Sequence, residues 1–216
     1  MKASISIDGV YYTAEQTMSL ASASSPFRGG YSTVEDAVAA LRLMGSRVIT
    51  SPKCVVGIDN GLKGAIVVLA ASNGDILHRT EMPVRKRDGK NEIDVVALSD
   101  WFRECLGDMS HHHFVLEKPV GSKSVNAAKS MHGSYHAIRA TIEVMGGNFY
   151  DIAARTWQKA MLPKGDTKEF SIALAERRWP AEDWRRNERC KVAHADACDA
   201  ANIAEYYRLS QTDIYQ

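Results

Sequence analysis

Four acids stand where acids are costly. Asp59 ends the apolar run "CVVGI", Glu117 ends "FVL", and Asp196 and Asp199 lie three apart in "HADACDAANIAEYY". Strand alternation puts Gly57 and Asp59 on one face, and Val115 and Glu117 on one face. If the two strands are neighbours, both carboxylates meet at one sheet edge. The three-residue spacing projects Asp196 and Asp199 from one side of a helix. A buried carboxylate cluster demands neutralisation, and oxygen-only acid clusters suit Mg²⁺ or Mn²⁺. Two such ions roughly 3.5–4 Å apart can activate water and stabilise the leaving oxygen at a phosphodiester. Each acid also has an ordinary reading. Asp59 could begin a turn, Glu117 could pair with Lys118, and Asp196 and Asp199 could sit in a first helical turn, where the dipole favours them. Their joint placement at the ends of apolar elements favours a metal site. In "DNGLKGA" Gly61 leaves Asp59 open to a phosphate, although the same glycines also suit a plain hairpin turn.

The elements that must hold these acids read as β-β-β-α-β-α-β-α-α-α from Cys54 onward. Strands are expected at 54–59, 65–71 and 76–83, then a helix at 91–106 and a strand in "HFVLEKP". A helix at 124–145, a strand in "NFYDIA" and helices at 155–162, 167–178 and 196–209 follow. Three antiparallel strands followed by strands joined through helices make a mixed sheet, with ligands expected at the carboxyl ends of its strands. Residues 1–53 differ in texture. "SISIDGVYYT" reads as a strand pair about Asp8-Gly9, "SLASASSPFRGG" as a loop, and "STVEDAVAALRLMG" as a helix with Ser32 and Glu35 at capping-box spacing. The expected domains are therefore an N-terminal extension, 1–53, and a main domain, 54–216, with the seam at "SPK".

Bulk properties bound the class. The 216 residues suffice for one sizeable core. No apolar run is long enough to span a membrane, and no basic-then-apolar leader opens the chain. Cys54, Cys105, Cys190 and Cys198 are scattered without a C-x-x-C pair, which suits reduced thiols in a cytoplasm. The net charge of +1 does not announce a nucleic-acid binder, but its distribution is uneven. Between Lys118 and Lys168 lie eight Lys/Arg (Lys118, Lys123, Lys129, Arg139, Arg155, Lys159, Lys164, Lys168) and three acids (Glu143, Asp151, Asp166). "RKRDGK" at 85–90 adds a further basic knot. Such runs are usually solvated faces. The "HHH" run at 111–113 reads as a polar loop. Trp157, Trp179 and Trp184 flank basic residues and read as packing residues ahead of base-stacking ones.

The ordered set "GIDNGLKGA", "FVLEKP", "AAKSMHGSYHAIRATIEVMGGNFYDIAARTWQKAML", "GDTKE" and "HADACDAANIAEY" resembles RuvC-type Holliday junction resolvases, in particular divergent phage-like members, over about residues 54–208. The resemblance implies an α/β, ribonuclease-H-like mixed five-stranded sheet flanked by helices, a homodimer, two divalent metals (Mg²⁺ or Mn²⁺) and symmetric nicking of four-way DNA junctions. A bacterial or phage-infected cytoplasm and no membrane partner fit it. By position, Asp59 and Glu117 would be the first and second metal ligands, and Asp196 and Asp199 the closing pair. His194 would be an outer group. Lys168 would lie near the scissile phosphate, and Arg155 and Lys159 would contact DNA backbone. The basic segment adds Lys118, Lys123 and Lys164 as DNA contacts. Ala128, Gly133, Ser134 and Ala137 in the 124–145 helix would permit close helix approach in a dimer. This chain departs from the family in three places. "KPVGSKSVN" carries no aromatic wedge, Asn60 replaces a common proline, and residues 1–53 have no counterpart. Three other readings stand beside it: an actin-like ATPase or sugar kinase, suggested by the D-x-G-x-x-G turn, a non-catalytic junction binder, and a broader branched- or flap-DNA nuclease.

Overall fold

The computed structural model describes residues 5–7, 10–12, 18–21, 33–43, 48–49, 53–119, 124–164 and 167–212. The chain divides into two compact units, residues 1–51 and 52–214. In the first, β1 (Ile5–Ile7) and β2 (Val10–Tyr12) pair antiparallel, with Ile7 opposite Val10, while the expected Asp8-Gly9 turn lies outside the described residues, and β3 (Val48–Ile49) pairs on the other edge of β1. A helical turn, α1 (residues 18–21), and the helix α2 (Val34–Leu43) accompany them, with Ala21, Ala37, Val38 and Leu41 buried. The α2 cap falls one residue later than the Ser32/Glu35 spacing suggests. Thr33 Oγ1 accepts from Asp36 N–H (3.1 Å) and donates to Asp36 Oδ2 (2.7 Å).

The second unit is built on a five-stranded sheet of order β10-β9-β4-β5-β6. Its strands are β4 (Cys54–Ile58), β5 (Ala65–Ala70), β6 (Ile76–Glu81), β9 (His112–Glu117) and β10 (Asn148–Ile152). β4, β9 and β10 run parallel, and β5 and β6 run antiparallel to their neighbours. This is the mixed, helix-flanked sheet expected of the ribonuclease-H-like class. The helices are α3 (Val95–Leu106), α4 (Val125–Val144), α5 (Ala154–Met161), α6 (Thr167–Arg178) and α7 (Ala195–Thr212).

Period-two alternation divides the sheet into two cores. Val56, Ile58, Ile66, Val68, Phe114 and Leu116 face α3 and α4, meeting Leu98, Phe102, Ile138 and Ile142. Val55, Val67, Leu69 and Val115 face the other way, onto α7, Trp157, Trp179 and Trp184. All three tryptophans are thus core residues. Gly57 explains how α7 sits. A Cβ there would overlap the Ala200 carbonyl oxygen and fall 2.8 Å from Ala204 N and 2.9 Å from Ala204 Cβ. The helix backbone rests on the strand, and the buried run Ala197, Cys198, Ala200, Ala201, Ala204 keeps that approach close.

Two sequence expectations are corrected. The helix expected from Asn91 starts only at Val95, because residues 91–93 belong to a two-stranded hairpin, β7 (Val84–Arg87) and β8 (Lys90–Ile93). Asp88 and Gly89 make its turn with φ of 49° and 76°, as an Asp-Gly hairpin turn requires. Asp94 then caps α3, accepting from the N–H groups of Val96 and Ala97. The "HHH" run is no loop either. His112 and His113 are buried strand residues of β9, and His113 Nδ1 lies 3.1 Å from the Tyr207 hydroxyl. On α4, Ser134 is buried, whereas Gly133 faces open space.

The contrast between Gly57 and Gly133 is testable. Gly57→Ala should lower unfolding free energy by roughly 1–3 kcal/mol or more, because the helix must lift from the strand. Gly133→Ala, in an open helical position, should raise it by about 0.5–1 kcal/mol. Urea unfolding of both variants measures the two signs.

Candidate active site

The carboxyl ends of β4 and β9 are neighbours in register, Ile58 opposite Leu116, so the next residues, Asp59 and Glu117, stand side by side. Both continue the α7-facing alternation of Val55 and Val115. α7 enters on that same face with Asp196 in its first turn and Asp199 one turn on. The Gly57 contact with Ala200 and Ala204 fixes how far along the strand those two acids fall. Charge interactions record the convergence: Asp59 feels Asp196 and Asp199, Glu117 feels Asp59, and Asp199 feels Glu117 and Asp196.

Three of the four acids are tied to protein donors. Asp59 Oδ1 accepts from Gly61 N–H (3.1 Å). Glu117 Oε2 accepts from the Trp157 indole N–H (2.9 Å). Asp199 Oδ1 accepts from the Ser171 hydroxyl, and Asn202 in turn donates to Ser171 Oγ (2.8 Å) and its carbonyl oxygen (2.9 Å). Asn60, buried after Asp59, donates from its carboxamide to the Glu117 carbonyl and so clamps the two strand ends together. Asn60, Trp157 and Ser171 are not singled out for the site by sequence reading. Their partners lie 57, 40 and 28 residues away, which leaves no local pattern to find.

Burial dominates the electrostatics. It pushes Asp59 up to about 7, against the Gly61 N–H, with Asp196 and Asp199 adding to the rise. It pushes Asp199 up to about 6, against the Ser171 hydroxyl, with Glu117 and Asp196 raising it further and Lys168 lowering it. It raises Glu117, against Trp157, with Asp59 adding to the rise. These are carboxylates short of positive charge.

A divalent ion tests well against the chemistry of this donor set, which is oxygen-only and electrostatically under-compensated. Among the described residues no three metal-binding side chains close into a finished ligand cage. Asp59, Glu117 and Asp199 instead direct oxygens to Gly61, Trp157 and Ser171.

The remaining sequence candidates fall around this edge. Lys168, exposed on α6, is within electrostatic reach of Asp199. Arg155 and Lys159 are exposed on α5, and Lys164 is exposed just beyond it. Lys118 is engaged with Asp151 (3.5 Å) and not with Glu117. Lys123 lies outside the described residues. His194 Nε2 stands 3.8 Å from Asp196 Oδ2. No described helix is long and apolar enough to cross a membrane.

No protein-family model and no curated protein matches this sequence. Solved structures do match in shape. The yeast mitochondrial Holliday junction resolvase superposes with a TM-score of 0.55 at 13% identity, covering 94% of this chain and 95% of its own, so this match extends into residues 1–53, for which the sequence gives no counterpart. RuvC of Thermus thermophilus in complex with a Holliday junction substrate gives 0.54 at 14% identity, covering 74% of this chain and 96% of its own. A second structure of Thermus thermophilus RuvC gives 0.53 at 17% identity, with 74% and 97% covered. This chain has the RuvC-type resolvase fold. Its acids stand at the ends of two central strands and on the final helix.

The proton held by Asp59 gives a pH test. In metal-free buffer the folded state holds that proton more tightly than the unfolded state does. The resulting stability is fully present below about pH 4 and is lost as pH rises through about 7. Asp59→Asn should therefore match the wild type near pH 4 and exceed it above pH 7, by at most a few kcal/mol. Thermal melts in EDTA across that range measure the divergence. Trp157→Phe keeps the ring in the core but removes the donor to Glu117. It should lower any metal-dependent activity by about 10–100-fold with a smaller loss of stability, and calorimetric titration of the divalent ion checks the matching loss of affinity.

Proposed function

We propose that this protein is a structure-selective endonuclease that resolves four-way (Holliday) DNA junctions by metal-dependent, symmetric nicking. The observation that carries this reading is the meeting of Asp59, Glu117, Asp196 and Asp199 on the α7 face of one sheet edge, within a RuvC-type fold. Residues 54–216 would form the nuclease domain and residues 1–53 an extension of undetermined role.

In this reading the four acids hold divalent ions, Mg²⁺ or Mn²⁺, two per site. When bound, the ions supply Lewis acidity and lower the pKa of water toward neutrality. The chain's own work is placement. Trp157 and Ser171 aim Glu117 and Asp199, and Asn60 keeps the two strand ends in register. Lys168 neutralises charge gathering on the scissile phosphate. Arg155, Lys159 and Lys164, with Lys118 and Lys123, meet the DNA backbone, and hydrolysis leaves 5′-phosphate and 3′-hydroxyl ends. Resolution needs two cuts related by a twofold axis, so a homodimer suits the substrate's symmetry. The exposed side of α4 at Gly133 offers a surface for close helix approach.

The ATPase reading loses support at the 59–64 turn. The Gly61 N–H is taken by Asp59 Oδ1 and the Gly64 N–H by the Gly61 carbonyl (2.9 Å), so neither is aimed at a phosphate. The flap-nuclease reading shares the same chemistry and differs only in substrate.

The test is cleavage of a synthetic mobile four-way junction, a flap and a linear duplex, with Mg²⁺, Mn²⁺ or EDTA. Paired symmetric nicks in the junction alone are expected. Asp59→Asn and Asp199→Asn should cut on the order of 100-fold more slowly or worse while still binding. Equal cutting of flaps would favour the broader nuclease. Binding without cutting in any metal would leave a scaffold protein and refute the role given to the acids.

A further inference from the structure

The sequence places its DNA contacts in the 118–168 segment. A separate cationic site lies on the other flank of the acids, built by two segments about a hundred residues apart. Arg79, Thr80 and Glu81 at the end of β6 meet Arg185, Arg186 and His194 around a cavity of about 200 Å³. This is the same sheet end as the acids, because Glu81 pairs with Ala65, whose carbonyl accepts from Asp59 N–H (3.1 Å). His194 joins cavity and site, 2.7 Å from Arg186 Nη2 and 3.8 Å from Asp196 Oδ2.

The arginines are held in place. Their loop is closed at its base by the His194 N–H to Trp184 carbonyl bond (2.6 Å) and by the Arg185–Ala193 bridge. Arg185 forks onto Asp183 (2.8 and 2.6 Å). Arg186 Nε meets Glu81 Oε1 (3.0 Å), while its Nη2 donates to the Lys63 carbonyl (3.3 Å). Arg79 donates to the Asp183 carbonyl (2.5 Å), with its guanidinium 5.5 Å from the Trp184 ring centroid. A guanidinium has five donors in a rigid fork, so one edge can be fixed by protein while another serves an anion. Three arginines and one carboxylate, Glu81, line the cavity, with Asp183 beside it, and the same loop goes on to carry Glu188, Arg189 and Lys191. A cavity with fixed guanidinium groups, a hydroxyl and excess positive charge suits a phosphodiester oxygen pair.

We propose that the Arg79/Arg185/Arg186 cavity is a backbone-phosphate subsite for the DNA strand as it runs from the carboxylate edge toward β6. The inference rests on the nuclease reading and adds to it. The strand would be held on both flanks of the acids, by α5 and α6 on one side and by this loop on the other. Glu81 acts as the competing anion, which the phosphate displaces from Arg186.

The test measures junction affinity in EDTA as a function of salt for the wild type, Arg185→Gln/Arg186→Gln, Glu81→Gln and, as a remote exposed control, Arg103→Gln. Thermal melts run alongside. The double variant should weaken binding about tenfold near 0.1 M salt and lower the slope of log K against log salt by about 1, the loss of one phosphate contact. Glu81→Gln should tighten binding, and Arg103→Gln should do neither. Folded variants with wild-type affinity and slope would overturn the subsite while leaving the nuclease reading intact. Should the double variant unfold, unchanged affinity in Glu81→Gln overturns the subsite equally. Absence of any DNA binding by the wild type would overturn both.

Discussion

The contact between α7 and β4 at Gly57 is the constraint on which the rest depends. A strand in the middle of a sheet normally keeps a helix at side-chain distance. Here the missing Cβ lets the helix backbone at Ala200 and Ala204 settle on the strand. That contact sets both the height and the rotation of α7. Asp199 sits one residue before Ala200, and Asp59 two residues after Gly57, so the same approach that closes the core delivers one acid to another. The alanine and cysteine positions of α7 are small for the same reason. Stability and site geometry are therefore not separable at this point of the chain.

The convergence has an electrostatic cost that the protein's own donors only partly relieve. Burial raises Asp59, Asp199 and Glu117 together, and each has one hydrogen-bond donor to set against that rise. A carboxylate that accepts one hydrogen bond in a low-dielectric setting remains under-compensated. In the proposed enzyme this deficit is what divalent ions satisfy, so cation binding relieves a repulsion already present in the folded chain.

Much of the main unit was legible in the sequence because its signals are local. Short apolar runs closing in Asp or Glu, and small-residue helix faces, read directly as strands and packed helices. What could not be read has a common physical character. The β7–β8 hairpin carries Arg, Lys, Asn and Glu where a buried strand would alternate apolar residues, so only its Asp-Gly turn marks it. His112 and His113 look like loop residues until the β9 ladder takes both into the sheet and Tyr150 and Tyr207 give His113 a polar niche in the core. The arginine cavity arises from pairing across the sheet end, which no window of sequence contains.

The helices that aim the acids also carry the cations. Trp157 points inward from α5 to hold Glu117, while Arg155 and Lys159 on that helix are turned away from the core. Ser171 points inward from α6 to hold Asp199, while Lys168, one turn earlier, is exposed. His194 repeats the arrangement on the far flank, near Asp196 on one side and Arg186 on the other. Each of these elements thus sets a basic side chain close to a residue that neighbours one of the acids. In a nuclease this couples substrate engagement to ligand geometry. Under the proposed function, a phosphate bound on α5, α6 or the 184–194 loop would bear on the same elements that hold Glu117 and Asp199 and that place an imidazole beside Asp196. A substrate that reaches both flanks loads all of these elements together, whereas DNA touching one flank loads only part of the set. Under the proposed function, discrimination between a branched and a linear substrate would then rest on backbone contacts, without any base being read.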